Sequence, residues 1–588
     1  MHRKILLVYP SIPTTYWSYK YALPFVRRKA VMPPLGLLTV AALLPPEFEL
    51  RLVDTNVAPL QAQDVDWADL VFVSAMIVQK RSFEEVVRLC RERGRTVVAG
   101  GPYPSSSHEL IRGVDHFVLD EAELTLPPFL RDLEQGCARH VYRSPEKPDI
   151  TLTPIPRFEL VDTSLYETMP VQYSRGCPFE CEFCDIIEMF GRKPRTKAPA
   201  QFLREVEAVY ATGFRGSLFI VDDNFVGNKL RAREMLRGLV VWQREHGYPF
   251  SLATEASITL AHDEELLSLM AEAGFAMVFV GIETPDALTL ARTRKTQNLR
   301  EDILASVARI QGHGLEVTGG FIVGFDGESD DIFERQRRFI QSAGIPTAMV
   351  GLLMALPNTR LARRLAAEGR LLQDCQGNNT HDLRLNYVPQ MPAERLIGGY
   401  KRLLSEIYSP RSYFQRCHTL LARLPRRPQV PGGLRAGQRA GLRPGDLAAF
   451  FRSLRKQGFS GYGLRYLGLL LWTALTRPAR FPMAVTLSVR GHHYFRITRE
   501  ILEAHAFTSA VRELTEALRR EAALLAASPI ARRVQALQAY LGEALRPARR
   551  AYRRLSAEAR LLVGDALEQF ELLCRGLLGT ASDARFKP

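Results

Sequence analysis

Three cysteines of the sequence stand close enough together to share a metal site. The loop from Arg175 to Asp185 reads Arg-Gly-Cys-Pro-Phe-Glu-Cys-Glu-Phe-Cys-Asp, which places Cys177, Cys181 and Cys184 in a Cys-x3-Cys-x2-Cys spacing. A structural zinc site takes four ligands, and no nearby His or Cys supplies the fourth. Three thiolates instead suit a cubane iron–sulfur cluster with one iron left open, although protein-held clusters usually have four cysteines. The spacing therefore favours an iron–sulfur cluster, with zinc as the alternative.

A second group of candidates lies at the ends of strands predicted in the same part of the chain. They are carboxylates and glycines that would meet at one edge of a parallel sheet. Each is a weak signal alone, because strand-end acids and turn glycines are common, and their shared position strengthens them together. The group consists of Asp222, Asp223, Glu255, Glu283, Gly320 and Gly324.

The elements that must position these residues alternate between strand and helix patterns. Six strand and helix units in series predict a full or partial barrel, whose active site lies at the carboxyl ends of its strands. The predicted strands are 171–174, 217–221, 251–254, 276–281, 316–323 and 347–353.

The first 140 residues show the same alternation with shorter elements. Strands predicted at 5–9, 49–53, 70–74, 96–99 and 116–119 alternate with helices such as 35–44 and 83–93. This pattern predicts a Rossmann-like, doubly wound parallel sheet. Ligands of such sheets bind beyond the strand carboxyl ends, where we expect Asp54, Ser74 and the turn Gly100-Gly101-Pro102.

Composition changes along the chain predict its domain boundaries. We expect an N-terminal domain over 1–142, a proline-containing linker over 143–158 and a barrel over 159–375. A C-terminal extension follows over 376–498, with a flexible basic loop at 424–446 that holds four prolines, five glycines and five arginines. A basic tail over 499–588 completes the chain, and its interruptions at Pro529 and Pro547 predict three helices.

Charge is unevenly distributed. The net charge is +15, and residues 401–588 hold 33 basic and 13 acidic side chains. This asymmetry favours an anionic partner or a solvated basic surface. The stretch 462–489 interleaves arginines with large apolar residues, which suits either a membrane interface or a buried helix pair. No apolar run reaches the roughly 20 residues that span a bilayer. We therefore expect a cytoplasmic protein. Peripheral contact with the anionic surface of the inner membrane is the alternative that the stretch 462–489 allows.

The cysteine loop, including the aromatic Phe183, resembles the signature of radical S-adenosylmethionine (SAM) enzymes. The resemblance implies a [4Fe-4S] cluster whose open iron chelates the methionyl group of SAM and cleaves it to a 5′-deoxyadenosyl radical. It further implies that Asp222 and Asp223 hold the methionyl ammonium and that Glu255 and Glu283 contact the ribose or methionyl group. The segment from Gly320 to Gly324 would approach the adenine.

The N-terminal domain resembles the cobalamin-binding domain that precedes the radical domain in one large class of these enzymes. The resemblance rests on 32–37, 53–56 and 99–102, and it implies cobalamin contacts from Asp54, Asn56, Ser74, Gly100, Gly101 and Pro102. Asn56 stands where a related motif carries a cobalt-ligating His, so the cobalt would lack an imidazole from this loop. A nucleotide-binding or purely structural Rossmann-like domain is the alternative.

These resemblances imply a cobalamin-dependent radical SAM methyltransferase of the class B type. One SAM would methylate cob(I)alamin, and a second would generate the radical that takes a hydrogen from an unactivated carbon. Residues 385–408 and 485–493 resemble the hopanoid methylase group, which implies a hydrophobic, polycyclic lipid substrate. A non-methylating rearrangement or cyclisation in tetrapyrrole or secondary-metabolite biosynthesis is the alternative. We expect a flavodoxin- or ferredoxin-type electron donor and no nucleic-acid partner.

Overall fold

A computed structural model of the chain describes residues 3–300, 302–372, 375, 377, 380, 383–426, 444–525, 529–556, 559–560 and 563–578. The strands are β1 Lys4–Tyr9, β2 Glu49–Asp54, β3 Leu70–Ser74, β4 Thr96–Gly100, β5 His116–Val118, β6 Val141–Tyr142, β7 Thr168–Val171, β8 Ser174–Arg175, β9 Arg195–Thr196, β10 Ser217–Ile220, β11 Ser251–Ala256, β12 Phe275–Glu283, β13 Glu316–Val323 and β14 Ala348–Leu352. The helices are α1 Leu23–Val26, α2 Leu35–Leu43, α3 Ala62–Trp67, α4 Lys80–Glu92, α5 Pro102–Ser107, α6 Ala122–Glu134, α7 Ile186–Phe190, α8 Pro199–Ala211, α9 Lys229–Glu245, α10 Glu264–Ala273, α11 Ala287–Arg292, α12 Ile303–Gly312, α13 Ile332–Ala343, α14 Arg360–Ala367, α15 Ala393–Ile407, α16 Pro410–Arg423, α17 Pro444–Gly458, α18 Gly463–Thr476, α19 Phe481–Leu524, α20 Ile530–Arg554 and α21 Gly564–Leu578.

The N-terminal domain is a parallel sheet with helices on both faces. Its strand order is β2-β1-β3-β4-β5-β6, and neighbouring strands run parallel throughout. Ile5, Leu6, Leu7 and Val8 of β1 are all fully buried, which is the pattern of a strand covered on both sides. The expectation of a Rossmann-like doubly wound sheet is confirmed.

The second sheet contains six parallel strands in the order β14-β13-β12-β11-β10-β7, so it is an open barrel. The prediction of six strand and helix units is confirmed, but its first strand was placed wrongly at 171–174. The barrel strand is β7, three residues earlier. Ser174 and Arg175 instead form β8, which pairs antiparallel with β9, because the chain leaves the barrel after Val171.

The open side of the barrel lies between β7 and β14, and both exposed strand edges are capped. On β14, the hydroxyl of Tyr400 donates to the Val350 carbonyl at 2.9 Å and that of Tyr408 to the Ala348 carbonyl at 2.6 Å. Beside β7, the backbone of Thr168 donates to the carbonyl of Val31 at 2.8 Å. These bonds satisfy edge groups that would otherwise offer a template for another strand.

The N-terminal segment between β1 and α2 therefore reaches both edges of the open barrel. At one end, the Tyr16 ring stacks on Tyr408 with centroids 5.3 Å apart. At the other end, Ala30 and Tyr166 form a parallel bridge beside β7. Residues 15–31 thus close the side of the barrel that the six strands leave open.

Contacts divide the chain into two compact units, Met1–His493 and Tyr494–Pro588. The second unit is helical, with a core that includes Phe507, Leu518 and Leu541. Its predicted break at Pro547 is wrong, because α20 runs through that residue to Arg554. A proline removes one helical hydrogen bond and kinks the helix, and the remaining bonds carry the helix onward. None of the helices within the described ranges has the length and apolar character needed to cross a bilayer.

Most of the predicted basic loop at 424–446 lies outside the described residues, and α17 already begins at Pro444. The stretch 462–489 is helical, and its two parts differ in burial. Its second part is buried, since Ala484 and Leu487 are fully covered. The first part, α18, is exposed on one side, where Leu464 and Leu475 are largely uncovered.

His493 fastens the N-terminal segment from within the first unit. It is fully buried, its Nδ1 accepts the backbone N–H of Tyr21 at 3.4 Å, and its Nε2 lies 3.1 Å from the Tyr16 carbonyl. Both contacts are satisfied by the neutral tautomer that carries its proton on Nε2. Burial lowers the pKa of His493 to about 4.

We predict that protonation of His493 weakens the first unit. Because the folded-state pKa lies below the ordinary value of 6.5, its stabilising contribution is complete above pH 6.5 and is lost as the pH falls towards 4, by up to about 3 kcal/mol. The measurement is the thermal midpoint at several pH values in this window. His493→Gln cannot titrate, so its midpoint should fall less steeply, and equal slopes in both proteins would contradict the prediction.

Candidate functional site

The cysteine loop leaves β8 through a glycine that no other residue can replace without strain. Gly176 has a φ of +93°, a conformation that L side chains rarely adopt. A Cβ at this position would lie 2.9 Å from the Gly191 carbonyl oxygen, 3.1 Å from that of Phe190 and 3.2 Å from that of Lys193. The loop therefore passes directly over the backbone that follows α7.

Three consecutive residues after β10 hold the beginning of the loop. Both oxygens of Asp222 are engaged, one with the backbone N–H of Tyr173 at 2.8 Å and the other with the Ser174 hydroxyl at 2.6 Å. The Asp223 carboxylate accepts the N–H of Gly176 at 2.9 Å. These bonds place the predicted SAM-binding acids directly against the loop, and their contact with the methionyl ammonium stays a prediction. Burial raises the pKa of Asp222 to about 7 and that of Asp223 to about 6.

The thiols meet polar donors that the sequence patterns did not single out. The Asn224 amide lies 3.7 Å from the Sγ of Cys177, and the Gln297 amide lies 3.5 Å from the Sγ of Cys181. Burial raises the pKa of Cys177, against the opposing effects of Asn224 and Lys295. Burial, with the nearby Asp185, also raises that of Cys184.

The described residues contain no three His, Cys, Asp or Glu side chains placed closely enough to share one metal ion. A cubane spreads its protein ligands over separate irons, so its thiolates need not converge on one point. The Asn224 amide at the sulfur of Cys177 and the buried ammonium of Lys295 oppose the rise in pKa that burial causes, so they offset part of the cost of burying a thiolate. The donor set fits an iron–sulfur cluster.

Glu283 ends β12 in a left-handed conformation, with a φ of +64°. Its carboxylate accepts a hydrogen bond from the Lys295 ammonium at 2.7 Å. Burial alone would lower the pKa of Lys295, but Glu283 and the thiols of Cys181 and Cys184 raise it above its ordinary value. A Cβ on Gly281 would lie 2.5 Å from a Glu283 oxygen and 2.9 Å from Nζ of Lys295, so this glycine makes room for the pair. Strained non-glycine residues persist where the surrounding structure enforces them, commonly at functional sites.

The other predicted SAM contacts lie around the same strand ends. Burial, with Asp223 as a further cause, raises the pKa of Glu255 on β11 to about 7. Phe183 packs against Phe325 with ring centroids 5.5 Å apart. The space beside Gly320 is filled by the Phe279 ring, which a Cβ would approach to 2.7 Å. Gly324 has a φ of +106° and lies against the hydroxyl of Tyr387. Contact of these residues with SAM stays a prediction.

In the N-terminal domain, Asp54 and Asn56 bond to each other and to the adjoining backbone. The Asn56 amide donates to an oxygen of Asp54 at 2.7 Å, and its own oxygen accepts the N–H of Ile12 at 2.7 Å. The second oxygen of Asp54 accepts the Tyr166 hydroxyl at 3.0 Å. Burial raises the pKa of Asp54. These residues tie the end of β2 to the segment after β1 and to the approach to β7.

The predicted glycine turn packs closely against neighbouring strands. A Cβ on Gly100 would lie 2.7 Å from the Val118 carbonyl, and one on Gly101 would lie 2.4 Å from the Ser74 hydroxyl. Gly101 also has a φ of +88°, and Pro102 then begins α5. Both glycines are required by the protein's own packing, and contact with cobalamin stays a prediction.

Two cavities open near these groups. One of about 340 Å³ lies between the carboxyl edge of the N-terminal sheet and the segment after β14, with Ile77, Tyr103, Ser106, Asn358 and Arg363 in its lining. The other, of about 640 Å³, adjoins the cysteine loop, and its lining includes Phe183, Arg292, Arg294, Arg360 and Arg364. Ligand sites of parallel sheets occur at the first kind of position.

Three family descriptions match successive parts of the chain. Residues 24–130 match the B12 binding domain, residues 171–340 match the radical SAM superfamily, and residues 359–506 match a domain of unknown function, DUF4070. A parallel sheet, a cysteine loop at the strand ends of an open barrel and these matches define a radical SAM enzyme with a B12 binding domain.

Relatives narrow this class. The chain is 46% identical over 423 residues to an uncharacterized methyltransferase of Synechocystis sp., covering 72% of this chain and 79% of the relative. It is 36% identical over 419 residues to the hopanoid C-2 methylase of Rhodopseudomonas palustris, covering 70% of this chain and 78% of that protein. The chain belongs to the cobalamin-dependent radical SAM methyltransferase family.

A solved structure shares the fold. It is the radical S-adenosylmethionine methyltransferase TsrM from Kitasatospora setae with cobalamin and a [4Fe-4S] cluster bound, at 17% identity and a TM-score of 0.54, covering 86% of this chain and all of that one. The cofactors of the present enzyme are a [4Fe-4S] cluster, SAM and cobalamin.

We predict that Gly176→Ala prevents stable assembly of the cluster, because its Cβ would collide with three carbonyl oxygens. Gly213→Ala is the matched control, since Gly213 also has a positive φ, +82°, but no atom lies within 4 Å of its Cβ position. Both changes should cost about 1 kcal/mol or more of stability through backbone strain. Only Gly176→Ala should lose most of its iron and acid-labile sulfide, measured per chain after anaerobic purification. Equal iron contents in the two variants would contradict the prediction.

Proposed function

We propose that this enzyme transfers a methyl group from SAM, by way of cobalamin, to an unactivated carbon of a hydrophobic polycyclic molecule of the hopanoid type. The observation that carries the substrate class is the 36% identity to the hopanoid C-2 methylase, which extends over 78% of that protein. The apolar interior of the barrel also supports this substrate class.

The inner wall of the barrel is apolar and partly open. Along β12, Val278 and Val280 are fully buried on the helix side of the sheet, whereas Met277 and Phe279 on the opposite side are only half-buried. Phe219 on β10 is likewise half-buried between two buried neighbours. Since successive strand residues point to opposite faces, the half-buried positions line the interior. Such a wall suits a ligand with little polar surface.

Trp17 extends this wall from the segment that closes the barrel. Its indole meets the Phe279 ring edge to face, with centroids 5.3 Å apart, and it remains 44% exposed. A large aromatic side chain that is held on one side and open on the other offers a flat apolar surface. We propose that Trp17 and Phe279 contact the substrate.

The roles of the site residues follow from their positions. Cys177, Cys181 and Cys184 would hold the cluster, with Asp222, Asp223 and Asn224 positioning their loop. Glu255 and the Glu283–Lys295 pair would face SAM at the neighbouring strand ends. When bound, the cofactors supply a hydrogen-abstracting radical and a transferable methyl group, so the protein's task is to orient the carbon and exclude water.

We further propose that cobalamin binds at the cleft between the N-terminal sheet and the barrel. Support comes from the 340 Å³ cavity, which lies where parallel sheets bind ligands. Asn56 is engaged with Asp54 and Ile12, so its side chain is committed to the fold. The loop would then offer the cobalt no ligand. For electron delivery, we propose an acidic flavodoxin or ferredoxin. The cavity beside the cysteine loop has four arginines in its lining against the two acids Glu182 and Asp326, which leaves an excess of positive charge.

The test of the substrate is anaerobic turnover of the reconstituted enzyme with SAM, a flavodoxin reducing system and a polycyclic hopanoid hydrocarbon. We expect S-adenosylhomocysteine, 5′-deoxyadenosine and methylated hopanoid in equal amounts, by mass spectrometry. Methylation of a tetrapyrrole instead would overturn the substrate, and 5′-deoxyadenosine with a rearranged, unmethylated product would overturn the reaction. If the enzyme turns over with dithionite as the reductant but not with flavodoxin or ferredoxin, the proposed type of electron donor is contradicted.

Trp17 gives a second test. Trp17→Ala should raise KM for the hydrophobic substrate about tenfold or more, because it removes a large apolar contact, while Trp17→Phe should retain most of the affinity. Trp67→Phe is the control, since that indole lies under Arg51 at 4.0 Å in the N-terminal domain. Substrate should also change the tryptophan fluorescence of the parent and of Trp67→Phe. The change should be smaller in Trp17→Phe, which lacks the indole at the substrate site. Unchanged KM in Trp17→Ala would remove Trp17 from the substrate site.

A further inference from the structure

Helix α18 is apolar on both of its sides, although only one side is covered. Tyr466, Leu469, Leu470 and Thr473 are at most 5% exposed and form its inner face. A surface helix normally turns charged or polar residues outward. On α18 the outward residues are instead leucines: Leu464 is 89% exposed, Leu467 40%, Leu471 62% and Leu475 75%. We call these four residues the leucine stripe.

The leucine stripe is continuous along the helix. Its spacing of three and four residues places the members on one side, over a length of about 16 Å at 1.5 Å per residue. Large aromatic residues stand next to it in the chain, since Phe459 in the turn before α18 is 91% exposed and Phe451 on α17 is 61% exposed. Isolated exposed leucines are ordinary, but a helical row of four marks an interaction surface.

The charges around the leucine stripe have one sign. Residues 447–493 contain seven Lys and Arg and no Asp or Glu. Arg480 is buried and Arg490 pairs with Glu316, so the exposed cations of this stretch are Arg455, Lys456 and Arg465. Arg465 is exposed within α18 itself, and Arg455 is exposed on α17. An apolar row accompanied only by cations complements an anionic membrane, where apolar side chains enter the acyl boundary and guanidinium groups meet phosphates.

We propose that α18 docks this enzyme on an anionic lipid bilayer, with the leucine stripe in the interface and Arg465 at the headgroup phosphates. The inference draws on the proposed function only in that a polycyclic lipid substrate resides in such a membrane. The surface itself is defined by exposure and charge, apart from the catalytic site.

Flotation of the full-length holoenzyme with vesicles tests the surface without turnover. The parent should float with vesicles containing phosphatidylglycerol, less with pure phosphatidylcholine, and less again at high salt. The double substitution Leu464→Asp with Leu471→Asp should lower the partition coefficient by about tenfold or more. Leu230→Asp with Leu288→Asp is the matched control, because those leucines are 65% and 69% exposed but stand singly on barrel helices, and it should float like the parent.

Sedimentation of the same proteins without lipid shows whether the leucine stripe binds a membrane or a second copy of the chain. We expect the parent and the Leu464/Leu471 variant to have the same mass and the same thermal midpoint. A parent that self-associates and a variant that does not would assign the stripe to a second copy of the chain and overturn the proposal. The proposal would also be overturned if the Leu464/Leu471 variant floated as well as the parent. Methylation of detergent-dispersed substrate should be unchanged in the variant, which separates failure of docking from failure of the proposed reaction.

Discussion

The site depends on one constraint, the attachment of the cysteine loop to the end of β10. Asp222 holds Tyr173 and Ser174, Asp223 holds the N–H of Gly176, and Asn224 reaches the sulfur of Cys177. Because the two carboxylates are buried, leaving either without a partner would cost several kcal/mol. The bonds therefore fix the loop relative to the barrel, and the thiols with it.

The segment from Thr15 to Val31 serves both halves of the first unit. It leaves the N-terminal sheet beside Asn56, stacks Tyr16 on Tyr408 and ends beside β7. A six-stranded barrel leaves a gap, and this segment, which leads into the residues that match the B12 binding domain, fills it. The closure thus joins the cofactor domain physically to the chamber in which we propose that the substrate lies. Trp17 is the side chain that carries this connection into the interior.

The buried Glu283–Lys295 pair shows how the site tolerates charge. An isolated ammonium in this place would be strongly destabilised, whereas the pair with Glu283 at 2.7 Å and the nearby thiols keeps it cationic. Gly281 leaves the room that the pair needs. The fixed positive charge opposes the rise in pKa that burial causes at Cys177 and Cys184, so the arrangement favours the thiolates that a cluster needs.

The sequence by itself determined five of the six strands of the first sheet, the six strand and helix units of the second, the cysteine spacing and the cofactor class. Strand periodicity and the Cys-x3-Cys-x2-Cys loop are local patterns within a few residues of chain, whereas the two-residue β6 is too short to show a period. It placed the first barrel strand three residues late and broke α20 at Pro547, since neither the chain's departure from a sheet nor a tolerated proline has a local signature. Only the tertiary structure decided that Asn224, Gln297 and Lys295 surround the thiols and that Trp17 enters the barrel. These residues lie between 47 positions, for Asn224 and Cys177, and 262 positions, for Trp17 and Phe279, from the thiols or the wall they contact. Only the packing of distant strands brings them together.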